Sequence, residues 1–67
     1  MASKTLHAEW YIVGTNWRLA LTRYGLLEHV ENAPRNENRC RELENRGVAE
    51  QKARTWAKEK GYDGIRF

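Results

Sequence analysis

The sequence predicts an α+β domain, a three-stranded antiparallel meander packed on a C-terminal helix. Two observations lead there. Apolar residues alternate with period two in the first third of the chain and switch parity across one turn, and alanines with a tryptophan recur at helical spacing before a marked stop near Gly61.

From Leu6 to Ile12 the apolar residues take even positions (Leu6, Ala8, Trp10, Ile12), with His7, Glu9 and Tyr11 between them. From Trp17 to Arg23 they take odd ones (Trp17, Leu19, Leu21). A two-residue turn at Gly14-Thr15 reconciles the two halves. It pairs Val13 with Asn16 and sets Ile12 opposite Trp17, Trp10 opposite Leu19 and Ala8 opposite Leu21, so that one face is apolar throughout. Glycine at the first central position supplies the positive φ of a type II′ turn. A second turn near Tyr24-Gly25 leads into a third strand around Leu26 to Glu31, in which Leu26 and Val30 extend the apolar face and Glu28 points inward with them.

Asn32 to Asn38 reads as a loop that closes on a helix N-terminus, with Asn36 or Asn38 as its cap. A helical segment follows over about 36–45, then a helix over about 48–60 with Ala49, Ala53, Trp56 and Ala57 on one side. Lys58 and Lys60 suit the last turn, Gly61 the left-handed cap, and Tyr62 folds back over Trp56. Gly47 divides the two stretches. The Cys40/Leu43 stripe lies about 120° around the helix from the Ala53/Trp56 stripe. One straight helix does not bury both, which predicts a break at Gly47 or, alternatively, one bent helix. After the Asp63-Gly64 turn, 65–67 forms a short edge strand. The expected core is Trp10, Ile12, Trp17, Leu19, Leu21, Val30, Ala53, Trp56 and Ala57.

With 67 residues the chain reads as a single small domain, 1–67. A domain of that size buries only about 60% of the surface its unfolded chain exposes. Cys40 is the one cysteine, so no internal disulfide supplements the core. The lone thiol, residues 1–13 without a leader-like apolar run, and the lack of any membrane-length apolar stretch fit a cytoplasmic protein with no membrane partner.

Catalytic and metal chemistry find little support. His7, His29 and Cys40 lack the spacing of zinc ligands. Ser3 falls in a terminal tail, Cys40 on the presumed inner side of a helix, and Glu28 and Glu31 on opposite faces of a strand. The expectation is a non-enzymatic binding module without cofactor or metal.

The net charge of +3 is unevenly placed. Residues 1–33 balance Lys4, Arg18 and Arg23 against Glu9, Glu28 and Glu31, so the excess lies in the second half. There Arg35, Arg39, Arg46, Arg54 and Lys58 are the candidate phosphate contacts of a nucleic-acid-binding, DNA-directed accessory or regulatory protein. Glu37–Arg41, Glu42–Arg46 and Glu50–Arg54 are also i,i+4 pairs that would simply keep a helix soluble. The alternative is a small protein-binding regulator or inhibitor of the kind phages and mobile elements encode. Its surface would be the sheet face opposite the helix, with Tyr11, Arg18, His29 and Glu31, and Arg18 lying between Tyr11 and Glu31. Either reading accommodates a homodimer through an exposed edge of the first or the terminal strand. In outline the fold resembles small DNA-binding domains with a three-stranded sheet against a helix, such as integrase arm-binding domains, without a shared motif.

Overall fold

The computed structural model describes residues 4–67; Ser3 lies outside them. The elements are β1 (Thr5–Val13), β2 (Asn16–Arg23), β3 (Leu26–Pro34), α1 (Arg39–Glu59) and β4 (Gly64–Arg66). The strands form one sheet in the order β3-β2-β1-β4. The first three make the expected meander, and β4 joins β1 in parallel.

The first hairpin has the register read from the parity switch, with Val13 opposite Asn16, Ile12 opposite Trp17 and Trp10 opposite Leu19. Gly14 has φ 58° while Thr15 keeps a negative φ, as a type II′ turn requires. At the second turn both Tyr24 (φ 55°) and Gly25 (φ 74°) are left-handed, which defines the mirror-image type I′ turn.

β3 departs from expectation. A bulge between Leu21 and Thr22 of the β2 register leaves Glu28 unpaired, so His29 faces Leu21, Glu31 faces Leu19 and Ala33 faces Trp17. The extra residue reverses the parity of everything after it. Val30, expected in the core, pairs with Ala20 on the sheet face that the helix leaves uncovered, and His29 and Glu31 turn to the helix side. The bulge also frees Glu28 from the inward position that simple alternation gives it; Glu28 is exposed. The strand runs on to Pro34, into the first part of the segment expected as loop, and 35–38 remain as connection.

The core is small. Leu6, Leu19 and Leu21 are fully buried against Ala53 and Ala57, with Ala8, Trp10, Trp56, Tyr62 and Ile65 packed around them. Ala33 and Ala49 are buried as well. Ile12, expected inside, is 46% exposed because it lies near the hairpin end, and neither the helix nor β4 covers it there. Each fully buried leucine side chain is worth about 1.5–3 kcal/mol.

The helix is continuous from Arg39 to Glu59, without a break at Gly47, and absorbs both segments expected over 36–45 and 48–60. The geometric conflict is resolved by leaving one stripe out: Cys40 and Leu43 are both exposed. Asn38 caps the N-terminus, its side chain accepting from the Cys40 and Arg41 amides at 3.0 and 3.3 Å. At the other end the Gly61 amide donates to the Lys58 carbonyl and the Tyr62 amide to the Ala57 carbonyl, the paired bonds of a Schellman motif, with Gly61 at φ 83°. The terminal strand is Gly64–Arg66 rather than 65–67. It is clamped to the start of β1 by Asp63, whose amide donates to the Lys4 carbonyl while its carboxylate accepts from the Lys4 amide. Among the described residues no helix is long and apolar enough to cross a membrane.

Two stability measurements follow. Leu19→Ala costs about 2–5 kcal/mol in urea unfolding, the range for a buried leucine in a core that relaxes only partly. A methyl group at exposed Gly47 meets nothing within 4 Å, so Gly47→Ala raises stability by about 1 kcal/mol. A loss at Gly47→Ala would contradict a continuous helix there.

Candidate nucleic-acid interface

Seven helix residues point at the sheet: Glu42, Asn45, Arg46, Ala49, Ala53, Trp56 and Ala57, spaced three or four apart and each at least half-buried. The C-terminal part of this stripe is apolar and the N-terminal part polar. The polar part is fixed by partners. Asn45 donates its side-chain amide to the Pro34 carbonyl at 2.9 Å. Glu42 Oε1 accepts from Trp17 Nε1 at 3.1 Å and from Arg35 Nε at 2.8 Å. The Arg46 guanidinium lies over both Trp17 (4.3 Å to the ring centroid) and Trp10 (4.7 Å), whose rings meet edge to face at 6.3 Å.

The hydrogen bond from Arg35 holds the Glu42 carboxyl below its ordinary value of 4.5; burial pushes the other way, and the Trp17 bond and the Arg35 charge add to the lowering.

This network redistributes the five cations marked as phosphate contacts. Arg46 is turned inward on the tryptophans, and Glu42, its expected i+4 partner, bonds Arg35 and Trp17 instead. Arg35 is half in solvent but paired with Glu42. Arg54 is paired with Glu50 at 2.9 Å, and its guanidinium lies 5.0 Å from the Phe67 ring. Arg39 and Lys58 are exposed and make no ion pair among the described residues.

The outward surface of α1 has an order that the linear sequence conceals. Opposite the buried alanines runs a ridge of Cys40, Glu44, Gly47, Gln51, Thr55 and Lys58. Arg39 and Arg54 flank it on the β4 side, where Arg54 meets Phe67. Arg41 and Lys52 flank it on the β3 side, where Lys52 shares a shallow groove with Glu31, Val48 and Trp56. All four flanking cations are exposed, and Glu44 and Glu59 are the exposed acids of the helix.

On the β3 side the helix is held by a stack of rings. His29 stacks on Trp56 at 4.3 Å and 11°, Trp56 on Tyr62 at 5.6 Å and 22°, and Lys4 Nζ lies 5.0 Å from the Tyr62 centroid. His29 Nε2 sits 3.5 Å from a Glu31 oxygen, an electrostatic approach without a hydrogen bond. These contacts divide the protein-binding set expected from the sequence. Tyr11 and Arg18 face each other on the open side of the sheet, while His29 and Glu31 belong to the helix side. Arg18 has Asn32, not Glu31, as its neighbour on β3.

Cys40, expected inside the helix face, is exposed and free. Among the described residues no three His, Cys, Asp or Glu side chains come together as a metal site would need. Comparison with protein-family models, curated proteins and solved structures finds no match to this chain.

Because the folded carboxyl of Glu42 titrates below its unfolded value, its contribution to stability is complete above about pH 4.5 and is lost as pH falls through the folded value. Glu42→Gln lowers stability at neutral pH, and the gap to the parent protein narrows on acidification, read by denaturant unfolding across pH 2.5–7. Arg46→Ala costs about 1–2 kcal/mol, whereas Arg39→Ala stays within about 0.5 kcal/mol.

Proposed function

We propose that this chain is a small DNA-binding accessory or regulatory protein, acting by binding rather than by catalysis, with α1 as the element laid against the duplex. The observation that carries the reading is the cross-section of the helix: a ridge whose middle, Gly47, Gln51 and Thr55, is small and neutral, with one acid, Glu44, toward the N-terminus, and with Arg39 and Arg54 on one side and Arg41 and Lys52 on the other. The major groove is about 12 Å wide and admits one α-helix of about 10–12 Å diameter. A helix seated there meets bases along its ridge and a phosphate strand along each flank. Gln51 and Thr55 are then the base-facing groups, the flank cations and Lys58 the phosphate contacts, and the ion-paired Arg35 a contact at the helix entrance. Arg46 supports the helix from beneath and touches no phosphate. A cytoplasmic setting goes with this reading, since the exposed thiol of Cys40 suits a reducing compartment.

A second reading, a protein-binding regulator, is favoured by the open sheet face. There Tyr11 and Arg18 stand side by side on adjacent strands next to Ala20 and Val30. An aromatic and an arginine beside a small apolar patch make a suitable anchor for a protein partner.

One titration series separates the two. With a mixed-sequence duplex followed by fluorescence anisotropy, the logarithm of the association constant falls against that of salt with a slope of about −5, as about six neutralised phosphates give. Arg54→Glu with Lys58→Glu weakens binding at least about tenfold at fixed salt, and Tyr11→Ala leaves it unchanged. A flat salt response, together with capture of one stoichiometric protein that survives nuclease and is lost in Tyr11→Ala, would establish the second reading instead.

A further inference from the structure

Two long strand edges of the sheet face solvent, and they differ in kind. β3 is blunted in three ways that prevent pairing with another chain: a bulge at Glu28, a proline at its end, and a carboxylate, Glu31, on its helix side. β1 beyond His7, where β4 stops, has neither bulge nor proline, carries its one carboxylate, Glu9, at the near end, and reads Glu-Trp-Tyr-Ile-Val from Glu9 to Val13. We propose that this edge is the docking surface for a second copy of the chain, two β1 strands pairing antiparallel about a twofold axis at Tyr11.

The backbone sets which groups are available. Val13 and Asn16 flank the two-residue turn and form its hydrogen-bonded pair, so the odd residues of β1 spend their N–H and C=O on β2 and the even ones turn theirs to the other edge. β4 engages those of Leu6. Those of Trp10 and Ile12 have no backbone partner among the described residues.

A twofold pairing that uses the whole free edge must centre on Tyr11, its midpoint. It sets Trp10 against Ile12 of the second copy twice, Tyr11 against its own equivalent, and Glu9 against Val13. No like charges meet, and each free backbone group of Trp10 and Ile12 acquires a partner. Three of the side chains involved are large and apolar yet open to solvent, with Tyr11, Ile12 and Val13 at 39%, 46% and 40% exposure. The helix packs chiefly along β3 and leaves the edge clear. An isologous contact of this kind closes on itself as a dimer. It also extends the small leucine core into one sheet running through both copies, the kind of supplement that short domains need. Both helix ridges stay exposed on the same side.

The inference does not rest on the DNA reading, because its test contains no nucleic acid. Sedimentation equilibrium of the full chain gives twice the monomer mass at high protein concentration, and Tyr11→Lys, which opposes two cations at the axis, returns it to monomer mass. Register is read by cross-linking in a Cys40→Ser background. Residues in a non-hydrogen-bonded antiparallel pair have Cα atoms about 4.5 Å apart, within disulfide range. Tyr11→Cys therefore cross-links to itself under mild oxidation, whereas Glu9→Cys and Val13→Cys cross-link only when mixed. Monomer mass at every concentration would overturn the proposal, and so would a dimer whose cross-links do not follow this pattern.

Discussion

The structure depends on how closely one helix can approach one sheet. Ala49, Ala53 and Ala57 lie four residues apart on α1, and all three are buried, two of them in the cluster formed by the leucines of β1 and β2. Small side chains along this line let the helix pack close to the sheet, and the large fully buried residues beneath it are three leucines. The C-terminal Schellman motif and the Asp63–Lys4 clamp then return the chain to β1 at the depth the alanines set. Where the alanines end, toward the N-terminus, the helix meets two tryptophans, and the space between is filled by a guanidinium rather than by an aliphatic side chain.

The parts of this arrangement legible in the sequence were those that rest on a simple period. The switch from even to odd apolar positions gave the register of β1 on β2, and the alanine spacing with its glycine stop gave the helix end. β3 was not legible, because a bulge inserts one residue without any turn-forming signature, and every inward or outward assignment beyond Glu28 then inverts. The one sequence clue was Glu28 itself, which regular alternation would have buried.

The sheet-facing role of Glu42, Asn45 and Arg46 was hidden for another reason. Charged residues on a helix are ordinarily solvated, so their continuity with the alanine stripe reads as coincidence. A usable signal was present: two tryptophans on the apolar face of the hairpin and no large apolar residue on the N-terminal part of the helix stripe to cover them. Arginine, whose flat cation stacks on indole, fills that place. The same misreading placed Arg46 among the outward-facing cations of the helix.

The acids also shape the electrostatics through where they turn. Glu42 and Glu50 are engaged with arginines, and Glu31 lies on the helix side of β3. Because Arg46 turns inward with Glu42 and Arg54 is the partner of Glu50, the outward surface of α1 keeps the same small positive excess as the helix as a whole. Fields at a surface follow the charges left facing solvent, and screening confines them to about a Debye length.

Because the sheet-facing contacts of α1, small alanines at one end and Glu42, Asn45 and Arg46 at the other, all lie along one line, the burden of folding falls on one narrow strip of the helix. The opposite strip is released from that duty. Over evolutionary time its residues can be exchanged with little penalty to the fold, so a lineage could acquire new targets by rewriting one solvent-facing surface while the scaffold beneath it stays the same.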